Sequence, residues 1–303
     1  MDKVIGLDIG GTSVKGAIVG RDGTIFETAI CLTKPEAGRE LLLQRMEVLV
    51  YKLLSGQPDG TIHAIGIASA GRVNFEDGEV VYATKNLPGW QGVHLKEWAE
   101  SVFGLPTIVD NDANAALLGE IWLGSGSPQE ELVMLTLGTG VGGAYFLPER
   151  LVRGKRWYAG EWGHSILVPG GVPCNCGKKG CAEQYISGTA LHRRGQESAD
   201  KIYPSAHDLI KGAEAGEEEA LRVLEEFVSD LSVVIANIGI TLDPDAVIVG
   251  GGLIDSSDVW WPLLERQMGQ WDGTLEIRRA ALGNKAGYLG AANLALDVSN
   301  PCI

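Results

Sequence analysis

The feature that most limits the possible folds is a pattern in which an apolar segment, a glycine turn and a second apolar segment follow one another. It occurs at residues 4–19 and again at residues 132–147. Apolar runs separated by glycine turns are typical of β-hairpins, and two copies in one chain suggest an internal duplication. With 303 residues the chain is long enough for two hydrophobic cores. We therefore predict an α/β protein with two lobes.

Apolar periodicity predicts the main elements of both halves. The segment "KVIGLDIGGTSVKGAIVGRDGTIFETAI" predicts three consecutive antiparallel strands, and "AIGIAS", "PTIVD" and "DPDAVIVGGGLI" predict further strands. Helices are predicted at 39–54, from Asp112 onward, at 217–242 and in the C-terminal "AGYLGAANLALDV". We predict a small lobe of residues 1–118, with a C-terminal helix at 287–303 packing back on it. Residues 119–286 form the predicted large lobe.

The charge of the chain excludes several classes of partner. A formal net charge of −14, without any cluster of basic residues, would repel phosphate backbones and anionic membranes. The N-terminus "MDKVIGLDIGG" is unlike a signal peptide, and glycines or charges interrupt every later apolar run. We expect a cytoplasmic protein that binds neither nucleic acid nor membrane.

Three glycine segments follow apolar strands: "DIGGTSVK" at 8–15, "LGTGVGG" at 137–143 and "VGGGL" at 249–253. Glycines at strand ends let backbone N–H groups approach a phosphate, although a single glycine turn is more often only a turn. Three such segments together favour phosphate binding. None fits the dinucleotide-binding fingerprint, because residues 137–143 lead into a strand. Asp8 is suited to holding magnesium through water.

The segment "DNDA" at 110–113 joins a predicted strand to a predicted helix. A carboxylate there can accept the proton of a hydroxyl that attacks a phosphoryl group, and a neighbouring amide can orient the acceptor. Asp112 is equally interpreted as the N-cap of the helix. Trp90, in "NLPGW", is interpreted either as part of a sugar cleft or as a core residue.

Residues 164–183, "HSILVPGGVPCNCGKKGCAE", contain three of the five cysteines of the chain. His164, Cys174, Cys176 and Cys181 supply one imidazole and three thiolates, which suits a closed, tetrahedral structural zinc site. In a reducing compartment this composition favours metal over disulfides. Zinc would also fix Glu161 and Glu183 near His164, where carboxylates can bind sugar hydroxyls. The alternative is that both glutamates are solvated loop charges.

Together these segments resemble the ROK family (repressors, open reading frames and kinases) within the actin-like sugar kinases, and the resemblance covers nearly the whole chain. "DIGGTSVKGAIV" and "LGTGVGGA" resemble its two phosphate motifs, and "NDANAALLGE" resembles its catalytic segment. "GEWGH" with the cysteine loop resembles its zinc signature, and "VGGGL" its adenosine motif. The resemblance implies a two-lobed actin-like (ribonuclease H-like) sugar kinase fold with related sheets that close over a cleft.

The resemblance also implies the roles of individual residues. Asp112 would be the general base that deprotonates the primary hydroxyl of a hexose. The implied sugar-binding residues are Asn111, Glu161, His164 and Glu183, with His164 also a zinc ligand. The implied ATP- and magnesium-binding residues are Asp8, Gly10, Gly11, Thr12, Lys15, Thr139, Gly140, Gly251 and Gly252.

The sequence allows more than one sugar substrate and more than one class of function. "ASAGRVN" at 68–74 is closer to N-acetylmannosamine kinases, whereas "NLPGW" is closer to glucokinases, and glucose is the first choice. A ROK repressor would need a DNA-binding segment before Asp8, and the acidic chain opposes that reading. A non-catalytic sugar sensor is the alternative from another class. The family resemblance implies a homodimer or homotetramer.

Overall fold

The computed structural model describes residues 2–58, 60–197, 201–271 and 274–298. In the described ranges the strands are β1 (Lys3–Ile9), β2 (Ser13–Gly20), β3 (Ile25–Leu32), β4 (Ile62–Ser69), β5 (Arg72–Asn74), β6 (Glu79–Tyr82), β7 (Thr107–Asn111), β8 (Leu132–Leu137), β9 (Val141–Leu147), β10 (Arg150–Leu151), β11 (Ala246–Gly250) and β12 (Glu276–Arg279). The α-helices are α1 (Arg39–Leu54), α2 (Leu95–Phe103), α3 (Asp112–Leu123), α4 (Glu183–Ile186), α5 (Gly188–Gln196), α6 (Ala206–Glu214), α7 (Glu218–Leu242), α8 (Ser257–Trp271) and α9 (Ala286–Val298).

The chain divides into two compact units. The first comprises the chain up to Pro128, residues 151–159 and the chain from Asn284 onward; the second comprises residues 129–150 and 160–283. The division at Pro128 lies ten residues beyond the predicted boundary after residue 118, because α3 continues to Leu123 and packs against α9 in the first unit. The inserted segment 151–159 was not predicted. Residues 299–303 of the predicted C-terminal helix lie outside the described residues.

The first unit is built on a five-stranded mixed sheet with the order β3-β2-β1-β4-β7. The predicted meander forms its antiparallel half, and β4 and β7 run parallel to β1. Helix α1 buries residues that recur every three or four positions, namely Leu42, Met46, Leu49 and Leu53, so the predicted apolar face is the one that packs on the sheet.

The second unit contains a sheet with the order β10-β9-β8-β11-β12, which repeats the strand order of the first. Here β8 and β9 are the antiparallel hairpin, and β11 and β12 run parallel to β8. Helix α7 buries one apolar face with helical spacing, formed by Leu224, Phe227, Leu231, Val234 and Ile238, and Leu221 is only partly buried at its edge. The shared strand order agrees with the duplication that the two glycine hairpins suggest.

Helix α9 lies unusually close to its neighbours in the first unit. A side chain at Gly6, Gly66 or Gly290 would overlap a backbone carbonyl oxygen, of Tyr288, Ala291 and Ala115 respectively. Backbone therefore contacts backbone where α9 crosses β1, β4 and α3. Such an approach requires residues without a Cβ atom.

In the described part of the chain, the structure has no helix that is both long enough and apolar enough to cross a membrane.

We predict that Gly290→Ala lowers the free energy of unfolding by about 3 kcal/mol or prevents folding, because the added methyl group overlaps the carbonyl of Ala115 in a packed backbone contact. The matched control is Gly269→Ala in α8, where the methyl group meets no atom within 4 Å. That variant should be unchanged or more stable by about 0.5–1 kcal/mol. Urea unfolding of both variants measures the difference, and equal stabilities would contradict the packing described for α9.

Candidate active site

Asp8 lies near the carboxyl end of β1, two residues before the glycine turn that leads into β2. Its carboxyl group packs against the start of α9, where a Cβ atom on Gly287 would lie 2.6 Å from Asp8 Cγ. Burial raises the pKa of Asp8 to about 6, against the opposing attraction of Lys15. A carboxylate that is desolvated and incompletely compensated at a strand end is suited to a cation brought in by a ligand.

The turn between β1 and β2 exposes Gly11 and Thr12, and a Cβ on Gly11 would meet no atom within 4 Å. The N–H of Gly10 donates to the carbonyl of Ser13 at 3.0 Å, which closes the turn. Lys15 on β2 donates through Nζ to Asn284 Oδ1 at 3.1 Å. Of the residues predicted to bind phosphate here, Gly10 therefore shapes the turn, and Gly11 and Thr12 are its accessible part.

At the β7–α3 junction, the prediction that Asp112 is the N-cap is wrong. The strand continues one residue further, and Asn111 is the N-cap, with φ −64° and ψ 149°. Its Oδ1 accepts the N–H groups of Ala113 at 2.9 Å and Asn114 at 3.1 Å. Asp112 is thus the first helical residue, and the cap does not require its carboxylate.

The amide of Asn111 is fully used inside the first unit. Besides the two bonds accepted by Oδ1, Nδ2 donates to the carbonyl of Gly71 at 2.8 Å and to Asp112 Oδ1 at 2.9 Å. An amide has two donor hydrogens and two acceptor lone pairs, so all four are paired. Asp112 Oδ1 also accepts the N–H of Ala113 at 3.0 Å, which fixes the carboxylate in place. The predicted contact between Asn111 and a sugar would have to replace one of these bonds.

Asp110 has no role in the sequence-based predictions for this segment. It is 1% exposed, and its carboxylate binds Arg153 of the segment 151–159. The carboxylate also accepts the N–H of Asn111 at 2.7 Å. No local pattern pairs residue 110 with residue 153. The one signal in the sequence is that an acid stands at the end of a predicted buried strand, where it needs a partner.

Trp90 is a core residue. It is 1% exposed and donates from Nε1 to Ser69 Oγ at 3.0 Å, so its polar atom is satisfied inside the first unit. This excludes the interpretation of Trp90 as an open cleft residue in this structure.

In the second unit, His164, Cys174, Cys176 and Cys181 bring one ligand atom each to within 4.8 Å of one another. The sulfurs of Cys176 and Cys181 are 3.5 Å apart, and Cys174 Sγ is 3.7 Å from His164 Nδ1. Ligands on a zinc tetrahedron with bonds of ~2.3 Å are separated by ~3.8 Å. These spacings and this donor set fit zinc.

The loop around these residues is shaped by local turns. The N–H of Gly177, at φ 90°, donates to the carbonyl of Cys174, and the N–H of Cys174 donates to the carbonyl of Lys178. Lys178 Nζ also donates to the carbonyl of His164 at 2.8 Å. Backbone bonds therefore place Cys174 and Cys176 on the same side of a tight turn.

Glu161 and Glu183 are not solvated loop charges. Glu161 Oε2 lies 3.9 Å from His164 Nε2, the ring nitrogen opposite the one that faces Cys174. Glu183, the first residue of α4, accepts the N–H of Val141 through Oε2 at 3.1 Å, and its Oε1 is 3.7 Å from Cys174 Sγ. Both carboxylates are thus tied to the cysteine cluster or to β9.

The two remaining glycine segments lie at the carboxyl ends of the parallel strands β8 and β11. In the β8–β9 turn Thr139 is exposed, and the Thr189 hydroxyl donates to its carbonyl at 2.7 Å. After β11, Gly251 has φ 84° and packs so tightly on Leu137 that a Cβ would lie 2.5 Å from its nitrogen. Gly252 is exposed, with open space where a Cβ would be. Gly251 therefore makes the turn and Gly252 offers accessible backbone.

The two five-stranded sheets have the same strand order, and each contains a glycine hairpin. Together with the Asp112 carboxylate at the β7–α3 junction, these features indicate the actin-like kinase class of fold. The ROK family model matches residues 4–298. A glucokinase of Streptomyces coelicolor is 35% identical, covering 98% of each chain. The ROK family glucokinase from Streptomyces griseus, solved with glucose and AMPPNP, is 33% identical with a TM-score of 0.85, over 97% of this chain and 99% of that one.

A putative N-acetylmannosamine kinase from Listeria monocytogenes is 28% identical with a TM-score of 0.87, over 98% of this chain and 100% of that one. The chain belongs to the ROK family, which confirms the family and the fold class expected from the sequence motifs.

We predict that the purified protein contains about one zinc per chain and that Cys176→Ser loses most of it, because one of four ligands is removed. Cys31→Ser is the matched control, since Cys31 is a similarly half-buried thiol outside the cluster. Metal analysis and thermal unfolding measure both effects: Cys176→Ser should melt several degrees lower, and the control should keep its zinc. Equal zinc in both variants would contradict the site.

We predict that Asp8→Asn stabilises the protein at pH 7 in the absence of nucleotide and metal. The folded-state pKa of about 6 lies above the ordinary 3.8, so ionised Asp8 destabilises the fold. The penalty grows between about pH 4 and pH 6 and is complete above pH 6; allowing for solvent contact, it is about 1–2 kcal/mol. Chemical unfolding at pH 7 and pH 4.5 should show a larger advantage of the variant at pH 7. An advantage that is absent at pH 7 contradicts the desolvation.

Proposed function

We propose that this protein transfers the γ-phosphoryl group of ATP to the primary hydroxyl of a hexose, with glucose as the first choice of substrate. The observation that carries the proposal is the Asp112 carboxylate at the end of β7, fixed by Asn111 Nδ2 at 2.9 Å. Relatives named glucokinase at about a third identity over the full length support the reaction and the sugar.

In the proposed reaction Asp112 accepts the proton of the sugar hydroxyl. The sugar oxygen then bonds to the γ-phosphorus as the bond to the ADP oxygen breaks. Asn111 and the N–H of Ala113 keep the carboxylate oriented, so that no reorientation is needed at the moment of proton transfer. Magnesium bound with ATP would neutralise charge on the phosphates.

The other assigned residues have binding roles in this proposal. Glu161, His164 and Glu183 bind sugar hydroxyls, with Asn111 as a further contact if it gives up one of its present bonds. The proposed ATP site consists of Asp8, Gly10, Gly11, Thr12, Lys15, Thr139, Gly140, Gly251 and Gly252, in which Gly10 and Gly251 shape the turns that present the accessible backbone. Asp8 would hold the hydrated magnesium ion, since hard cations prefer oxygen ligands.

Zinc has a structural role in the proposal. His164 would bind it through Nδ1, which faces Cys174, leaving Nε2 directed towards Glu161. Four protein ligands would leave no open coordination position, so a zinc ion held there would fix the ring and the loop and supply no chemistry to phosphoryl transfer.

The proposed reaction suits the cytoplasm, which supplies ATP and keeps thiols reduced. A homodimer or homotetramer remains a prediction from the family.

N-acetylmannosamine is the second candidate sugar, because "ASAGRVN" at 68–74 resembles kinases of that class. A non-catalytic sugar sensor is the candidate from another class. It would bind sugar and ATP without turnover, and it gives no reason for a carboxylate fixed by hydrogen bonds next to the N-cap of α3.

We predict that Asp112→Asn lowers kcat by ~100-fold or more and changes the KM values by less than about 3-fold, because the amide keeps the size of the side chain and loses the base. The matched control is Asp243→Asn, at the exposed end of α7, where φ is 51° and asparagine is well tolerated. The measurement is ADP and sugar phosphate formation with glucose, mannose, fructose, N-acetylglucosamine, N-acetylmannosamine and allose.

Turnover of one sugar that is lost in Asp112→Asn and kept in Asp243→Asn supports the kinase and identifies the substrate. If the folded wild-type protein turns over no sugar of the panel although it binds one of them, the sensor replaces the kinase.

A further inference from the structure

The segment 151–159, here called the strap, leaves the second unit after Arg150 and rejoins it at Gly160, yet belongs by its packing to the first unit. Arg153 anchors it. Nε and Nη2 of Arg153 lie 2.9 and 2.7 Å from Asp110 Oδ2. The guanidinium carbon lies 3.5 Å from the ring centroid of Phe75, so the planar group is stacked as well as paired.

Asp110 connects this anchor to the start of α3. Its second oxygen, Oδ1, accepts the N–H of Asn111 at 2.7 Å and Nδ2 of Asn114 at 2.8 Å. Asp110 is 1% exposed and the Arg153 side chain 19% exposed. Oδ2 of this buried carboxylate therefore binds the strap, and Oδ1 binds both ends of the first turn of α3.

A second contact fixes the other end of the strap. The guanidinium carbon of Arg72 lies 4.2 Å from the ring centroid of Tyr82 and 4.6 Å from that of Tyr158. Arg72 follows Gly71, whose carbonyl accepts the side-chain N–H of Asn111. Both ends of the strap are thus linked to the residue that orients Asp112.

We propose that Arg153 and Asp110 are a positioning pair for the base. Arg153 acts through Asp110, which holds the Asn111 backbone and with it the carboxylate of Asp112 in a reactive orientation. The inference rests on the proposed kinase function and adds two residues to it, neither of which touches the substrate.

A purely stabilising role explains this arrangement less well. A buried ion pair contributes little net stability compared with apolar residues of the same size, because both charges must be desolvated. An ion pair of this geometry does fix the orientation of the carboxylate. Two donors of a planar, stacked guanidinium fix the position of Oδ2, and lysine cannot reproduce that geometry.

The test compares Arg153→Met, which removes charge and donors, with Arg153→Lys, which keeps the charge. Arg156→Met is the matched control, an exposed arginine of the same strap. We expect kcat of Arg153→Met to fall by ~10- to 100-fold, the scale of a base displaced by about an ångström, with KM values within about 3-fold. Arg153→Lys should recover part of kcat, and Arg156→Met should match the wild type.

Stability is separated from positioning by the double variant Asp110→Asn/Arg153→Met, which leaves no unpaired charge. Its melting temperature should return towards that of the wild type while kcat stays low. If kcat returns together with the melting temperature, or if folded Arg153→Met keeps kcat within 2-fold, the positioning role is overturned.

Hydrogen exchange tests the pair without relying on turnover. The amides of residues 111–114 should exchange faster in Arg153→Met than in Arg156→Met, because the Asn111 N–H loses a fixed acceptor. Unchanged exchange overturns the inference. Absence of turnover in the wild-type protein overturns the proposed function instead, so the two failures are distinguishable.

Discussion

The contact on which the first unit depends is the backbone-to-backbone approach of α9 to β1, β4 and α3. Glycines on both sides make it possible, because a Cβ at Gly66 or Gly290 would overlap a carbonyl oxygen. The same approach places Gly287 against the Asp8 carboxyl group and contributes to its desolvation. The raised pKa of Asp8 thus depends on packing between residues from the two ends of the described chain. The contact that holds the first unit together also sets the ionisation of a candidate site residue.

Three carboxylates lie at the same edge of the first sheet, at the carboxyl ends of β1 and β7, and each has a different environment. Asp110 is paired with a guanidinium, and Asp112 accepts hydrogen bonds from its neighbours. For Asp8, desolvation outweighs the attraction of Lys15. Groups with such divergent environments suit different tasks. Asp110 is suited to holding structure, Asp112 to accepting a proton and Asp8 to meeting a cation.

Local patterns predicted the meander, α1, the two glycine hairpins and α7, because each depends on periodicity or turn chemistry within about 30 residues. The residues of the cysteine cluster were also readable, since their types and spacing suit one metal. The pairing of Asp110 with Arg153 and the strap itself were not. They depend on contacts between distant residues, which no local pattern records. The N-cap was misplaced because Asn111 and Asp112 are equally good capping residues, and only the length of β7 decides between them.

Glu183 shows why a structural metal site matters for binding chemistry. Its two oxygens face different partners, the N–H of Val141 in β9 and the sulfur of Cys174 in the cysteine cluster. A Cβ on Gly140 would overlap this carboxylate, so the glycine of the second phosphate motif also makes room for it. The cysteine loop, the carboxylate and the glycine turn therefore have coupled positions. A metal that fixes the loop would also fix the carboxylate, and a ligand that displaces the carboxylate must disturb the turn.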